Sequence, residues 1–174
     1  DTLTRTKAEF QPIEPGKVTF YSCGPTVHDY AHIGNFKTFV VYDLVKRYLA
    51  HKGYEVTHYT NITDVDDKTI RKAQAEGVSL DELADRYATI FFEDMGRLNM
   101  LPTDGFPKAT DHIAEMVDMI GRMIEDGHAY KRDGSVYYSI RSFPEYGKLA
   151  HLDVEGMQSG ASGVDADEYE KEDV

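Results

Sequence analysis

The sequence predicts an α/β fold: a parallel sheet whose strands are joined by a helix, followed by a helical region and a β-hairpin. Three observations carry this. Val18 and Phe20 alternate with Thr19 and Tyr21, the two-residue period of a strand. Residues 34–52 carry apolar side chains at helical spacing. Residues 54–60 alternate again, with Val56, His58 and Thr60 on one face. A strand, a helix-length crossover and a second strand make a βαβ unit, which favours a parallel pair.

The first strand is expected over 18–23, where Gly24 and Pro25 break it. The helix stripe reads Phe36, Val40, Leu44 and Tyr48, widened by Val41, Val45 and Leu49, and Gly53 is its stop. In sheets of this kind ligands sit past the carboxyl ends of the strands. Those ends are residues 23–32 and 61–67, the two segments richest in unusual polar residues. Residues 67–75 form a further helix closed by Gly77. Ser79 and Glu82 have capping-box spacing for the next one, whose buried face is Leu83, Tyr87, Phe91 and Met95. Thr110 or Asp111 caps another, with the core stripe Ile113, Val117, Ile120 and Ile124, ended by Gly127. Asp133-Gly134 between Ala129–Arg132 and residues 135–140 is a hairpin signal. Residues 156–174, rich in Gly, Ser and acids, read as a mobile tail.

A chain of 174 residues buries enough surface to fold without a staple. No apolar run approaches the roughly 20 residues that span a bilayer, and no signal peptide is visible, so no membrane role is expected. The chain opens on Asp1 and not Met, as expected where preceding residues have been removed. Its single cysteine, Cys23, makes no internal disulfide, which fits a reducing cytoplasm. The net charge of -12 has the wrong sign for a general nucleic-acid binder. Residues 151–174 carry -7 of it, so any nucleic-acid contact must be local or made elsewhere.

The segment that carries chemistry is CGPTVHDYAHIGN, residues 23–35. A strand ends, a tight turn follows, and His32 and Gly34 open a helix. Free N–H groups at a helix start bind anions, and Gly34 lets a ligand approach the backbone. His32 at this entrance suits a phosphate; a lone H-x-G is otherwise a structural histidine, and the context favours nucleotide binding. Cys23 reads either as a small buried residue at a strand end or as a metal ligand. Asp64, Asp66 and Asp67 read as caps for the helix that follows, in preference to a metal cluster.

His32-Ile33-Gly34-Asn35 resembles the HIGH signature of class I aminoacyl-tRNA synthetases, with Asn35 in place of the second histidine. Residues 21–35, Thr2-Leu3-Thr4-Arg5, residues 61–68 and Ala109-Thr110-Asp111-His112-Ile113 resemble the cysteinyl enzymes in particular. The resemblance implies a Rossmann-like nucleotide-binding fold. Residues 1–98 would be its first half, 99–155 an insertion, and the remainder of the enzyme absent. It implies cysteine, ATP with Mg and tRNA(Cys) as substrates, and a zinc that holds the cysteine thiolate. Catalysis would fall to His32 and Asn35. Cys23, Gly24, Pro25, Thr26, Ile33, Gly34, Thr38, Asn61, Ile62 and Thr63 would line the adenylate pocket, with Thr63 near the substrate amino group. Cys23 would be the one zinc ligand in this chain. No KMSKS-like loop occurs, so the chain alone is expected to be inactive. A cysteine ligase of mycothiol synthesis and a non-catalytic nucleotide-binding fragment are the competing readings.

Overall fold

The structure is a computed structural model that describes residues 1–152. The expected tail at 156–174 lies outside the described residues. Two compact units divide the chain. One comprises Gln11–Ile113, the other Asp1–Phe10 with the residues from Ala114 onward.

In the first unit β1 (Lys17–Ser22) pairs in parallel with β2 (Glu55–Thr60), Val18 opposite Val56 and Ser22 opposite Thr60. Helix α1 (Ile33–His51) connects them. The parallel pairing resumes past the strand ends at Thr26 and Thr63. A strand-like run not legible in the sequence adds to the other side of β2. The Thr60 N–H donates to Gly105 O at 3.1 Å, the Ile62 N–H to Pro107 O at 2.8 Å, and the Ala109 N–H to Ile62 O at 3.1 Å. Pro107 supplies no N–H to a ladder, which explains why this stretch reads as loop.

Helices α2 (Asp67–Glu76) and α3 (Leu80–Arg97) follow. Asp66 caps α2 by accepting the N–H groups of Lys68 and Thr69, and Thr69 Oγ1 accepts the Asp66 N–H in return. Gly77 ends the helix in the left-handed region, at φ 68°. Ser79 caps α3 alone, accepting the Glu82 N–H at 3.1 Å. The expected return bond from Glu82 is replaced by an ion pair with Arg86 one turn on.

The core packs α1 against α3. Phe36 and Phe39 meet Phe91 with ring centroids 5.6 and 5.0 Å apart, among Val27, Ile62, Leu83, Tyr87 and Met95. This corrects the predicted stripe of α1. Phe36 and Phe39 are buried, whereas Val40, Leu44 and Tyr48 are 43%, 62% and 59% exposed. Residues 36–49 are apolar around much of the helix, so periodicity defines no unique face, and the Phe91 contact selects one. The far end of α1 is clasped by the chain after α3. The Lys46 ammonium donates to Pro102 O and Asp104 Oδ2, Arg47 donates to Asn99 O, and Asp43 Oδ1 accepts the Leu101 N–H.

A 3-10 turn at Thr110–His112 closes the first unit, and α4 (Ile113–Glu125) carries the chain into the second. Neither Thr110 nor Asp111 caps it; the turn has no side-chain cap. Its amphipathic stripe was expected in a core, yet α4 buries none of its residues, Ile113, Val117 and Ile120 all being exposed. Gly127, at φ 77°, ends the helix. Strands β3 (Ala129–Arg132) and β4 (Ser135–Tyr138) form the expected antiparallel hairpin. Asp133 and Gly134 both have positive φ, as a two-residue type I′ turn requires.

Candidate functional site

Where β1 ends, the alternation turns Ser22 inward and Cys23 outward. Ser22 is buried and Cys23 is exposed, so the reading of Cys23 as a buried strand-end residue does not hold. Gly24 follows because nothing larger fits. A Cβ there would lie 1.5 Å from the Asn61 carbonyl oxygen. The Gly24 N–H donates to Asn61 Oδ1 at 2.9 Å, the Tyr21 hydroxyl donates to the same oxygen at 2.6 Å, and Asn61 Nδ2 donates to Thr63 Oγ1 at 2.9 Å. Asn61 is thus a latch between the two strand ends.

The entrance of α1 is a reciprocal cap. His32 Nδ1 accepts the Gly34 N–H at 3.0 Å, and Asn35 Oδ1 accepts the His32 N–H at 3.1 Å. Two consequences follow. Because Nδ1 is an acceptor, the neutral His32 ring carries its proton on Nε2, which faces outward as a donor. Because Asn35 Oδ1 is an acceptor, its Nδ2 is left as a donor as well. The His32 ring lies so close to Gly34 that a Cβ there would sit 2.7 Å from Cε1. No acidic residue occupies the first turn of α1, so the positive end of its dipole is not offset there. His28 has the opposite tautomer. Its Nδ1 donates to Thr26 O at 3.1 Å, which leaves Nε2 as an acceptor.

A cavity of about 380 Å³ lies at the carboxyl ends of the parallel pair. Of the residues expected to line a pocket, it takes in Cys23, Gly24, Pro25, Thr26, Asn35 and Thr38. Ile33 and Gly34 belong to the exposed entrance of α1 beside His32. Asn61 and Thr63 brace the turn, and Ile62 is buried in the core behind it. Sequence reasoning missed Asp29, Tyr30, Lys68 and Tyr87, which also line the cavity. Tyr87 was read only as core, and it serves as both.

The acidic run after β2 divides. Asp66 caps α2 and Asp67 sits in its first turn, as expected. Asp64 does neither. It is buried, and its two oxygens accept the Thr110 N–H at 3.0 Å and the Thr110 hydroxyl at 2.5 Å. The Thr110 side chain predicted to cap a helix is spent on this bond. No group of three His, Cys, Asp or Glu side chains is placed to hold a metal among the described residues. The exposed Cys23 thiol can give one ligand, short of the three or four a zinc site takes.

Residues 9–174 match the family described as the catalytic domain of class I (C) tRNA synthetases. The chain is 50% identical over 168 residues to a cysteine–tRNA ligase of Lachnoclostridium phytofermentans, covering 97% of this chain and 36% of that protein. It is 45% identical over 161 residues to the cysteine–tRNA ligase of Pyrococcus furiosus, covering 92% and 34%. The chain therefore spans about a third of the length of these relatives. Its fold resembles a solved methionyl-tRNA synthetase of Mycobacterium tuberculosis in complex with methionyl-adenylate (TM-score 0.58, 24% identity, 64% of this chain and 23% of that one). It also resembles the LeuRS of an Agrobacterium radiobacter K84 ternary complex (TM-score 0.60, 18% identity, 72% and 17%).

Proposed function

The chain belongs to the class I (C) tRNA synthetase catalytic-domain family, and on that premise we propose that it forms the adenylate-forming part of a cysteine–tRNA ligase. The cysteine carboxylate attacks the α-phosphorus of ATP, supplied with Mg. Cysteinyl-adenylate forms and pyrophosphate leaves. The cysteinyl group then passes to the terminal ribose of tRNA(Cys) in the intact protein. Residues 1–98 are the first half of the catalytic domain and 99–155 a region inserted into it. A cytoplasmic location fits this activity; no helix among the described residues is long and apolar enough to cross a membrane.

One observation carries the reading: the reciprocal His32–Asn35 cap stands at the start of α1, and Asn35 lines the cavity. The His32 Nε2–H and the Asn35 amide N–H are donors held in place before reaction, suited to charge that grows on phosphate oxygens. The positive end of the α1 dipole, with no acidic residue in its first turn, adds to them. Cys23, Gly24, Pro25, Thr26, Ile33, Gly34 and Thr38 shape the adenylate pocket, while Asn61, Ile62 and Thr63 brace it from below. Cys23 is the candidate zinc ligand of this chain, and a zinc bound there would hold the substrate thiolate.

The test is amino-acid-dependent exchange of pyrophosphate into ATP by the intact protein. Exchange should require cysteine, with serine far behind. Equal exchange with another amino acid, or none with cysteine, would remove the assignment.

A further inference from the structure

The cavity wall formed by residues 26–31 has neither helix nor strand of its own. At its base the backbone is tied to the segment that follows β2, the Val27 N–H donating to Thr63 O at 3.1 Å. At its tip four side chains close a circuit. Asp29 Oδ1 accepts the Tyr30 N–H at 2.8 Å, and Asp29 Oδ2 pairs with the Lys72 ammonium at 2.9 Å. That ammonium lies 4.8 Å from the centre of the Tyr87 ring. Tyr87 in turn meets Tyr30 edge-on, with ring centroids 5.4 Å apart. Lys72 stands on α2 and Tyr87 on α3, so the circuit ties the free wall to two helices. Asp29, Tyr30 and Tyr87 line the cavity, and Lys72 does not.

The chemistry suits a clamp. The hydrogen bond between the two groups holds the Asp29 carboxyl below its ordinary range and the Lys72 ammonium above its own, so both stay charged around neutrality. The Lys72 side chain is only 24% exposed, and the ring beneath it limits where the ammonium can go. Removing that ammonium leaves Asp29 Oδ2 without its cation and uncovers the Tyr87 ring that Tyr30 meets, so both supports of the wall loosen together.

We infer that Lys72 is a positioning residue: from outside the cavity it sets the Asp29–Tyr30 wall against which the amino-acid substrate is bound. This rests on the adenylate-forming reading above. Lys72 touches no substrate; it acts through Asp29 and Tyr87.

The intact protein with Lys72→Met should show a KM for cysteine raised roughly three- to tenfold in pyrophosphate exchange, with kcat changed far less. Lys72→Arg, which keeps the cation, should restore it. Asp29→Asn keeps an oxygen for the Tyr30 N–H and loses the ion pair. It should raise KM similarly, and the double variant should be no worse than either single one. Amide hydrogen exchange in residues 27–31 should rise in Lys72→Met. An unchanged KM overturns the inference, even where the thermal midpoint falls, since that pattern belongs to a purely structural pair. Additive effects in the double variant overturn it too. Should the parent protein show no cysteine-dependent exchange, the enzymatic reading fails by itself. The clamp is then judged on amide exchange alone, where unchanged protection at Tyr30 sinks it.

Discussion

Past the end of β1 the chain runs half-buried to exposed, and several of its polar groups keep capacity the fold does not use. Past the end of β2 it runs half-buried, with Ile62 and Asp64 fully buried, and its polar side chains are bonded within the fold. Cys23, His32 and Asn35 each keep a group the fold does not use: a thiol, an Nε2–H and an amide N–H. Asn61, Thr63, Asp64 and Asp66 are bonded to the fold. Both segments look alike in composition, rich in polar residues at a strand end. A polar strand end is therefore a functional candidate only to the degree that the fold leaves its hydrogen-bonding capacity unspent. Mutations at the first end should therefore change rate more than stability, and at the second end stability more than rate.

The largest expected effect is at His32. In the intact protein His32→Ala removes the donor we propose for the developing charge, and cysteine-dependent pyrophosphate exchange should fall by roughly 10²–10³. It also removes the cap of α1, which costs about 1 kcal/mol. His32→Asn separates the two. Asparagine is a good N-cap and restores an acceptor for the Gly34 N–H, but it does not reach as far as imidazole Nε2. Stability should recover and rate should not. Recovery of both would make His32 a cap and nothing more.

What the sequence made legible follows the same division. Strands, helices, Gly77, Asp66 and the Asp133-Gly134 turn are specified by neighbours a few residues away, and those were readable. The buried face of α1 was not, because Phe91 chooses it from a distant helix. Asp64 and Thr110 were both read as caps; each satisfies the other across 46 residues, which no local pattern encodes. At the site, the His32–Gly34 entrance was legible as a motif. The Asp29–Lys72 pair was not, since neither residue is unusual where it stands.

Asp64 tests the second strand end. Asp64→Ala leaves the Thr110 N–H and hydroxyl without their acceptor in a half-buried place, and should cost roughly 1–3 kcal/mol. Thermal or urea unfolding of the intact protein measures this. Exchange activity per folded molecule should hold near the parent value. A large loss of activity with stability intact would erase the contrast between the two ends.

The smallest effect probes the footing that both ends share. His58 lies in β2 behind them, stacked on Phe20 at 3.9 Å between ring centroids. Its Nε2 meets Ser22 Oγ at 2.8 Å and Thr60 Oγ1 at 3.2 Å, so one ring nitrogen serves the last residue of each strand. Nδ1 is buried with no hydrogen-bond partner. Protonation would place a second N–H where nothing accepts it. Burial first, then the Lys46 ammonium, hold the His58 pKa below its ordinary 6.5, against the opposing pull of Asp104 and Asp43. The unfolded chain therefore takes up this proton at a higher pH than the folded one does. Stability from a neutral His58 is complete above about pH 6.5 and declines as pH falls through that value toward the folded-state pKa. The measurement is the thermal midpoint of the parent protein minus that of His58→Gln, which cannot titrate, from pH 7.5 down to 5.5. The difference should shrink, or change sign, as the pH drops. Because Ser22 and Thr60 share the same nitrogen, amide exchange next to both strand ends should rise together at low pH. A rise at Cys23 alone, with Asn61 still protected, would mean that the β1 end is loose on its own account and that the shared footing is not what steadies it.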